Sequence, residues 1–228
     1  MSDTPEMSPL QKAKEDILAA AMPHVVFDGW TDAVLRAAAR ESDIDESIAR
    51  EAFPRGAVDL ALFYHGKLDC ALMDAIANAD LSGMKYSDKV AYAVKTRLKI
   101  ADKEAVRRGV TLFSLPQNLG DGVKALWSTV DVIWRTLGDT SQDVNWYTKR
   151  ATLSGVYSST VLFWIGDDSE ADQATWEFLD RRIADVMQIE KVKGRVKDTP
   201  VGKAMNAMTS WIKAPDPDHK SQYPGYGG

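Results

Sequence analysis

The 228-residue chain is long enough for one large domain or two smaller ones sharing a core. At 45% hydrophobic and 27% charged residues, it is neither disordered nor an integral membrane protein by composition. A formal net charge of −5 argues against a duplex-DNA binder, which concentrates positive charge.

Met1 to Leu10 lacks the basic start and apolar stretch of a secretory signal, and the Arg-rich pattern of a mitochondrial leader. No run approaches the roughly 18 uncharged apolar residues of a membrane span, so any bilayer contact is expected to be peripheral. Ser8-Pro9-Leu10-Gln11 reads as a capping box opening a helix to about Ala21, ended by Pro23. Phe27-Asp28-Gly29-Trp30 turns the chain, and a short helix follows from about Thr31 to Arg40. Asp43 to Glu46 opens a third helix, which stops before Pro54. A longer helix is expected from about Val58 to Asn78. The lone cysteine, Cys70, lies there in an apolar run and reads as a small buried hydrophobe in a reducing cytoplasm.

Ser87 is expected to cap the next helix, with Val90, Val94 and Leu98 on one face. A short helix from about Lys103 to Leu112 follows. Beyond Pro116 a helix begins near Leu119, with Val123, Leu126, Trp127, Val130, Trp134 and Leu137 as its stripe, and Gly138 ends it. Thr140 to Asp143 opens the next, with Leu153, Val156, Tyr157, Thr160, Val161 and Trp164 on one side and Gly166 as its stop. Ser169 to Asp172 starts another, carrying Trp176, Leu179, Ile183, Val186 and Met187. Glu190 to Asp198 reads as a charged linker before a last helix from Thr199-Pro200, and Ala214 to Gly228 as a disordered tail. Strand signals are nearly absent, so the fold class is all-α, with about ten helices and short connections.

Three short helices followed by a long one, over residues 8–65, resemble the tetracycline-repressor type of regulator. In that arrangement the third helix would lie in the major groove. Here it reads Asp45-Glu46-Ser47-Ile48-Ala49-Arg50-Glu51, three acids against one arginine. Residues 1–65 hold twelve acids against six bases. Phosphate contacts supply most DNA affinity and need positive charge, so the module is expected to be a helix-turn-helix scaffold without DNA binding.

Trp146 and Tyr147 are neighbours and cannot both face one narrow core stripe. They are either half-buried packing residues or an aromatic pair at a partner surface. The following helix is crowded with small residues, Ala151, Ser154, Gly155, Ser158 and Ser159. Such residues allow close helix approach or leave space for a ligand. Five of the seven tryptophans fall between Trp127 and Trp176. An aromatic-lined apolar cavity with a few hydroxyls is what a long lipid needs, and an ordinary core has the same periodicity.

Asn145-Trp146-Tyr147-Thr148-Lys149-Arg150, Val156-Tyr157-Ser158-Ser159-Thr160, Asp168-Ser169 and Thr175-Trp176-Glu177-Phe178-Leu179-Asp180-Arg181-Arg182-Ile183 together resemble the coenzyme Q (ubiquinone) biosynthesis accessory family, the ninth of the numbered Coq proteins. The match is dense from Asp121 to Ile183 and looser from Ala19 to His65. The resemblance implies a TetR-like fold, a homodimer, and an isoprenoid lipid or phospholipid bound among the C-terminal helices. It further implies assistance to the di-iron hydroxylase of the demethoxyquinone ring. The lipid-facing residues would be Trp127, Val130, Leu153, Val156, Tyr157, Thr160, Val161, Trp164, Trp176, Leu179 and Ile183. The partner-facing patch maps onto Ile133, Trp134, Trp146 and Tyr147. Without a leader, the chain looks like a bacterial relative, cytoplasmic and peripheral on the inner face of the membrane.

Residues 191–213 carry six bases against Asp198 alone. Val201, Ala204, Met205, Met208, Trp211 and Ile212 recur there at helical spacing. A cationic amphipathic helix with a tryptophan reads as an interfacial anchor, and its lysines would add attraction to anionic headgroups. The alternative is a terminal helix docked on the domain with a solvated basic edge. Residues 84–110 hold eight bases against three acids, by default a solvated helical face.

His24, His65 and His219 are far apart, and no Glu-x-x-His, H-E-x-x-H, Walker, G-x-G-x-x-G or G-x-S-x-G pattern occurs. No cofactor, metal or nucleic-acid partner is expected, and the chain reads as an accessory protein rather than an enzyme. The expected organisation is a helix-turn-helix-like module (8–65), a lipid-binding and dimerisation domain (66–190), a membrane-contact helix (199–213) and a tail (214–228). The alternative is a TetR-type, ligand-responsive transcription regulator, supported by helix order and opposed by the acidic third helix.

Overall fold

The computed structural model describes residues 8–197, with side chains through 188. Among these residues all regular structure is helical, as the periodicity predicts. The elements are α1 (Pro9–Asp28), α2 (Asp32–Glu41), α3 (Glu46–Ala52), α4 (Ala57–Ala77), α5 (Tyr86–Lys99), α6 (Lys103–Phe113), α7 (Leu119–Thr136), α8 (Val144–Trp164) and α9 (Gln173–Lys197). A 3-10 turn, Glu170–Asp172, leads into α9. The expected membrane residues Val201, Met205, Met208, Trp211 and Ile212, and His219, lie outside the described residues.

The chain divides into two compact units. Among the described residues, the first combines 8–68 with 101–125, and the second combines 69–100 with 126–197. The first unit is therefore not a contiguous stretch ending at 65, because α6 packs against α1.

In the first unit, α1 packs against α2, α3 and α6 around Ile17, Ala21, Val25, Leu35, Phe53 and Leu60. Ser8 caps α1 as expected, accepting from Gln11 N at 3.2 Å. The helix does not end at Pro23, however. It runs on to Asp28 and stops at Gly29, whose φ of +73° is a left-handed conformation suited to glycine. The apolar face explains the difference. Ala21 and Val25, either side of the proline, are completely buried. Their burial outweighs the one backbone hydrogen bond that Pro23 cannot donate. Trp30 holds α6 in place. Its indole N–H donates to the Ala105 carbonyl at 3.0 Å, while Tyr64 Oη accepts from Asp102 N at 2.9 Å.

Gly56 (φ +65°) makes the turn into α4. Asp32 Oδ1 reaches across from α2 to accept Ala57 N at 2.9 Å. A Cβ on Gly56 would stand 2.2 Å from that oxygen, so both φ and space require glycine.

In the second unit, α9 packs against α8 and α5. Three helices meet at one buried carboxylate. Asp69 of α4 accepts from Arg97 Nε of α5 at 2.7 Å and from Thr129 Oγ1 of α7 at 2.8 Å. All three side chains are essentially inaccessible, and the pairing satisfies charges that would be costly alone. α5 starts two residues earlier than a Ser87 cap implies. Its cap position is Lys85, with no side-chain cap bond, and the Ser87 hydroxyl turns to Asp88 instead. Cys70, expected inside, is exposed on α4 beside buried Asp69. The apolar run around it is interrupted by that one polar core position, and a helix cannot bury every side of the run. α9 is one continuous helix through Lys197, so the expected linker from Glu190 is helical as far as 197.

Candidate functional site

The start of α8 gathers a group of aromatic and charged side chains in the second unit. Asp143 caps the helix, accepting from Asn145 N at 2.9 Å, and so fixes where the Trp146-Tyr147 pair emerges. The two rings meet edge to face, with centroids 4.7 Å apart. Trp127 of α7 approaches Trp146 at 5.9 Å. Tyr86, at the start of α5, stacks on Trp134 of α7 at 5.8 Å. Tyr86 is 45% exposed and Tyr147 37%, so the cluster reaches solvent at both ends. The indole N–H of Trp134 is shielded from solvent and has no hydrogen-bond acceptor.

Beneath the rings lies an ion network. Arg150 is 1% exposed. Its Nε donates to Asp131 Oδ1 at 2.7 Å, and one terminal nitrogen donates to Asp139 Oδ2 and to the Trp146 carbonyl, each at 3.2 Å. The guanidinium carbon lies 3.9 Å from the centre of the Trp146 ring. Lys149 donates to Asp139 Oδ1 at 2.7 Å and lies 5.5 Å from the Trp134 ring centre. Burial works against the Asp139 charge, but hydrogen bonds from Lys149, Ser141 and Arg150 outweigh it and hold the carboxyl below the usual carboxylate range. Tyr86 is pushed up, chiefly by burial and then by the Asp139 charge, so it is a neutral phenol at neutral pH.

The four residues expected to face a partner therefore divide. Trp134, Trp146 and Tyr147 belong to one partly exposed cluster. Ile133 does not: it is completely buried. Consecutive helix positions turn by about 100°, so Ile133 can be fully covered while neighbouring Trp134 stays half-buried. Tyr86, Asp131, Asp139, Lys149 and Arg150 complete the cluster and were not singled out by sequence. One signal was present: Arg150 follows Trp146 by four positions, the spacing that stacks a cation on a ring one turn earlier.

Of the residues expected to contact lipid, Val130, Leu153, Val156, Tyr157, Thr160, Val161, Trp164 and Leu179 are buried. Trp127, Trp176 and Ile183 are half-buried. Thr160 satisfies its hydroxyl on the Val156 carbonyl, leaving an apolar wall. Trp164 and Trp176 donate their indole N–H groups to Asp172 Oδ2 at 3.1 Å and the Ala171 carbonyl at 2.8 Å. Lys95 of α5 sits 4.9 Å from the Trp176 ring centre. Asp167 gathers the start of α9, accepting from Ser169 N and from the Thr175 amide and hydroxyl, which lowers its pKa well below the carboxylate range.

The first unit has a cleft of about 400 Å³ between α2, α3 and the turn into α4, floored by Leu35, Ile44 and Phe53. No histidine, cysteine or serine lines it. His24 meets Glu41 at 2.9 Å and His65 meets the Ala125 carbonyl at 3.1 Å. Among the described residues no group of three potential metal ligands occurs, and no helix is long and apolar enough to cross a membrane.

A crystal structure of a TetR transcriptional regulator from Nitrosomonas europaea matches with a TM-score of 0.61 at 16% identity, over 76% of this chain and 97% of that one. The chain therefore has the fold of the TetR-type helical regulators. The COQ9 family model matches residues 119–190, which hold α7, α8 and the aromatic cluster's main residues. The probable mitochondrial ubiquinone biosynthesis protein coq9 of Dictyostelium discoideum is 31% identical over 88% of this chain and 67% of its own length. The mitochondrial COQ9 ubiquinone biosynthesis protein of Rattus norvegicus is 31% identical over 83% of this chain and 63% of its own. That of Homo sapiens is 29% identical over 83% and 62%. The chain belongs to the COQ9 family, and it spans roughly two thirds of the length of these relatives.

Proposed function

We propose that this chain is a lipid-binding accessory protein of ubiquinone biosynthesis. It holds an isoprenoid quinone intermediate or a phospholipid at the membrane and presents it to the di-iron hydroxylase of the demethoxyubiquinone step. It acts as a homodimer and is not itself the catalyst. The observation that carries this reading is the half-exposed aromatic cluster on the matched family segment. Aromatic anchors of this kind dominate binding energy at protein interfaces. The apolar wall of α8 and α9 supports lipid contact. Leu162 and Phe163, adjacent on α8 and 59% and 38% exposed, support burial against a second copy. The basic amphipathic pattern of residues 199–213 supports a peripheral membrane location.

Protein purified from its native host should carry a stoichiometric isoprenoid or phospholipid, identified by mass spectrometry. Replacing Trp146 and Tyr147 with glutamine should weaken hydroxylase binding by about 30-fold, the loss of a hot spot worth roughly 2 kcal/mol, with helicity unchanged. Protein free of lipid, with binding untouched by that double replacement, would reject the reading.

The fold also suits a ligand-responsive regulator. Against that, the one base on α3, Arg50, is tied to Glu46 at 2.6 Å, and Glu51 stands exposed beside it. A gel shift on DNA from the chain's own genomic neighbourhood, lost with rising salt, would favour the regulator.

A further inference from the structure

An indole that docks on a partner loses side-chain freedom as it does so, and binding is tighter where that freedom has been removed in advance. Trp146 is such a case. Its own backbone carbonyl and its ring face are both engaged by one side chain, Arg150, one helical turn further along. Arg150 is in turn fixed from two sides, by Asp131 within the last turns of α7 and by Asp139 in the loop that follows. The second carboxylate oxygen of Asp139 holds Lys149, whose ammonium stands over Trp134. A single carboxylate thus locks two cations, each set against one indole of the cluster.

We propose that Arg150 is the positioning residue of this docking surface: clamped between Asp131 and Asp139, it holds the Trp146 indole in its binding orientation before a partner arrives. The inference rests on the reading of the cluster as a docking surface. Arg150 is 1% exposed and so acts through Trp146 rather than by touching the partner. The role needs a planar guanidinium. Only that group can stack on a ring while its edge donates to two carboxylates and a carbonyl. Lysine retains the charge and loses the stack and the fork.

The test uses the full chain labelled with 5-fluorotryptophan, with W146F assigning the Trp146 resonance. In R150K, that resonance should shift and sharpen as the ring gains motion, while far-UV helicity stays at the parent level. The dissociation constant for the purified di-iron hydroxylase should rise about tenfold. The loss should be non-additive with W146Q, because both variants remove one device. D139N, which keeps the Asp131 pair, should move the same resonance in the same direction and serves where R150K does not fold. An unmoved Trp146 resonance in the folded variants, or a loss strictly additive with W146Q, overturns the positioning role. W146Q binding as tightly as the parent would instead remove the docking reading, and the fluorine spectra would still decide whether Arg150 orders the ring.

Discussion

Asp139 shows how much chemistry one residue can organise. With its carboxyl held below the usual range by Lys149, Ser141 and Arg150, its folded pKa lies under its unfolded one of about 3.9. Its contribution to stability is therefore fully present above pH 4 and is lost as pH falls through the lowered folded value. Measured by urea denaturation, D139N should be less stable than the parent at pH 7 by about 2 kcal/mol, the worth of hydrogen bonds to a charged group. The gap should narrow below pH 4, and a gap constant to pH 3 would contradict the assignment. Nothing in the sequence marks Asp139, since the two cations it holds lie on another element. Trp146 and Tyr147, by contrast, were legible because adjacency alone forbids both from sharing one stripe. Ile133 and Cys70 were misread for a related reason. Apolar character does not say which side of a helix is covered, and the fold covers Ile133 and leaves Cys70 open.

At the scale of elements, spacing located the helices well, and caps located their ends where a single donor decides. Ser8, Thr31 and Asp143 each accept a backbone N–H at the start of a helix, as their sequence positions suggest. Ser87 does not, because α5 begins ahead of it. Pro23 is the instructive failure: a strong local breaker is overruled by the buried stripe that runs past it. The ring still removes a hydrogen bond to the Ala19 carbonyl. Pro23 is exposed, so Pro23→Ala restores the bond without disturbing the core. That change should raise the unfolding free energy by roughly 1–3 kcal/mol in chemical denaturation. A neutral result would show that the turn between Ala19 and Pro23 has already relaxed around the ring.

For the whole molecule, helix order was enough to give the TetR-type fold, and the family followed from the motifs of α8 and α9. The division into units was not legible, because α6 joins the first unit through Trp30 and Tyr64, contacts far apart in sequence. The proposed membrane contact belongs to this scale. Deleting residues 199–228 should lower binding to vesicles containing anionic lipid by at least tenfold in a flotation assay, with the helicity of the remainder retained. Undiminished flotation would move the membrane contact to another face, such as the basic stretch at 84–110. One surface feature also bears on assembly. Cys70 is the only cysteine in the chain, and it is exposed on α4. A nitroxide attached there without any mutation gives one spin per copy, so every dipolar distance recorded between labels must run from one protomer to another.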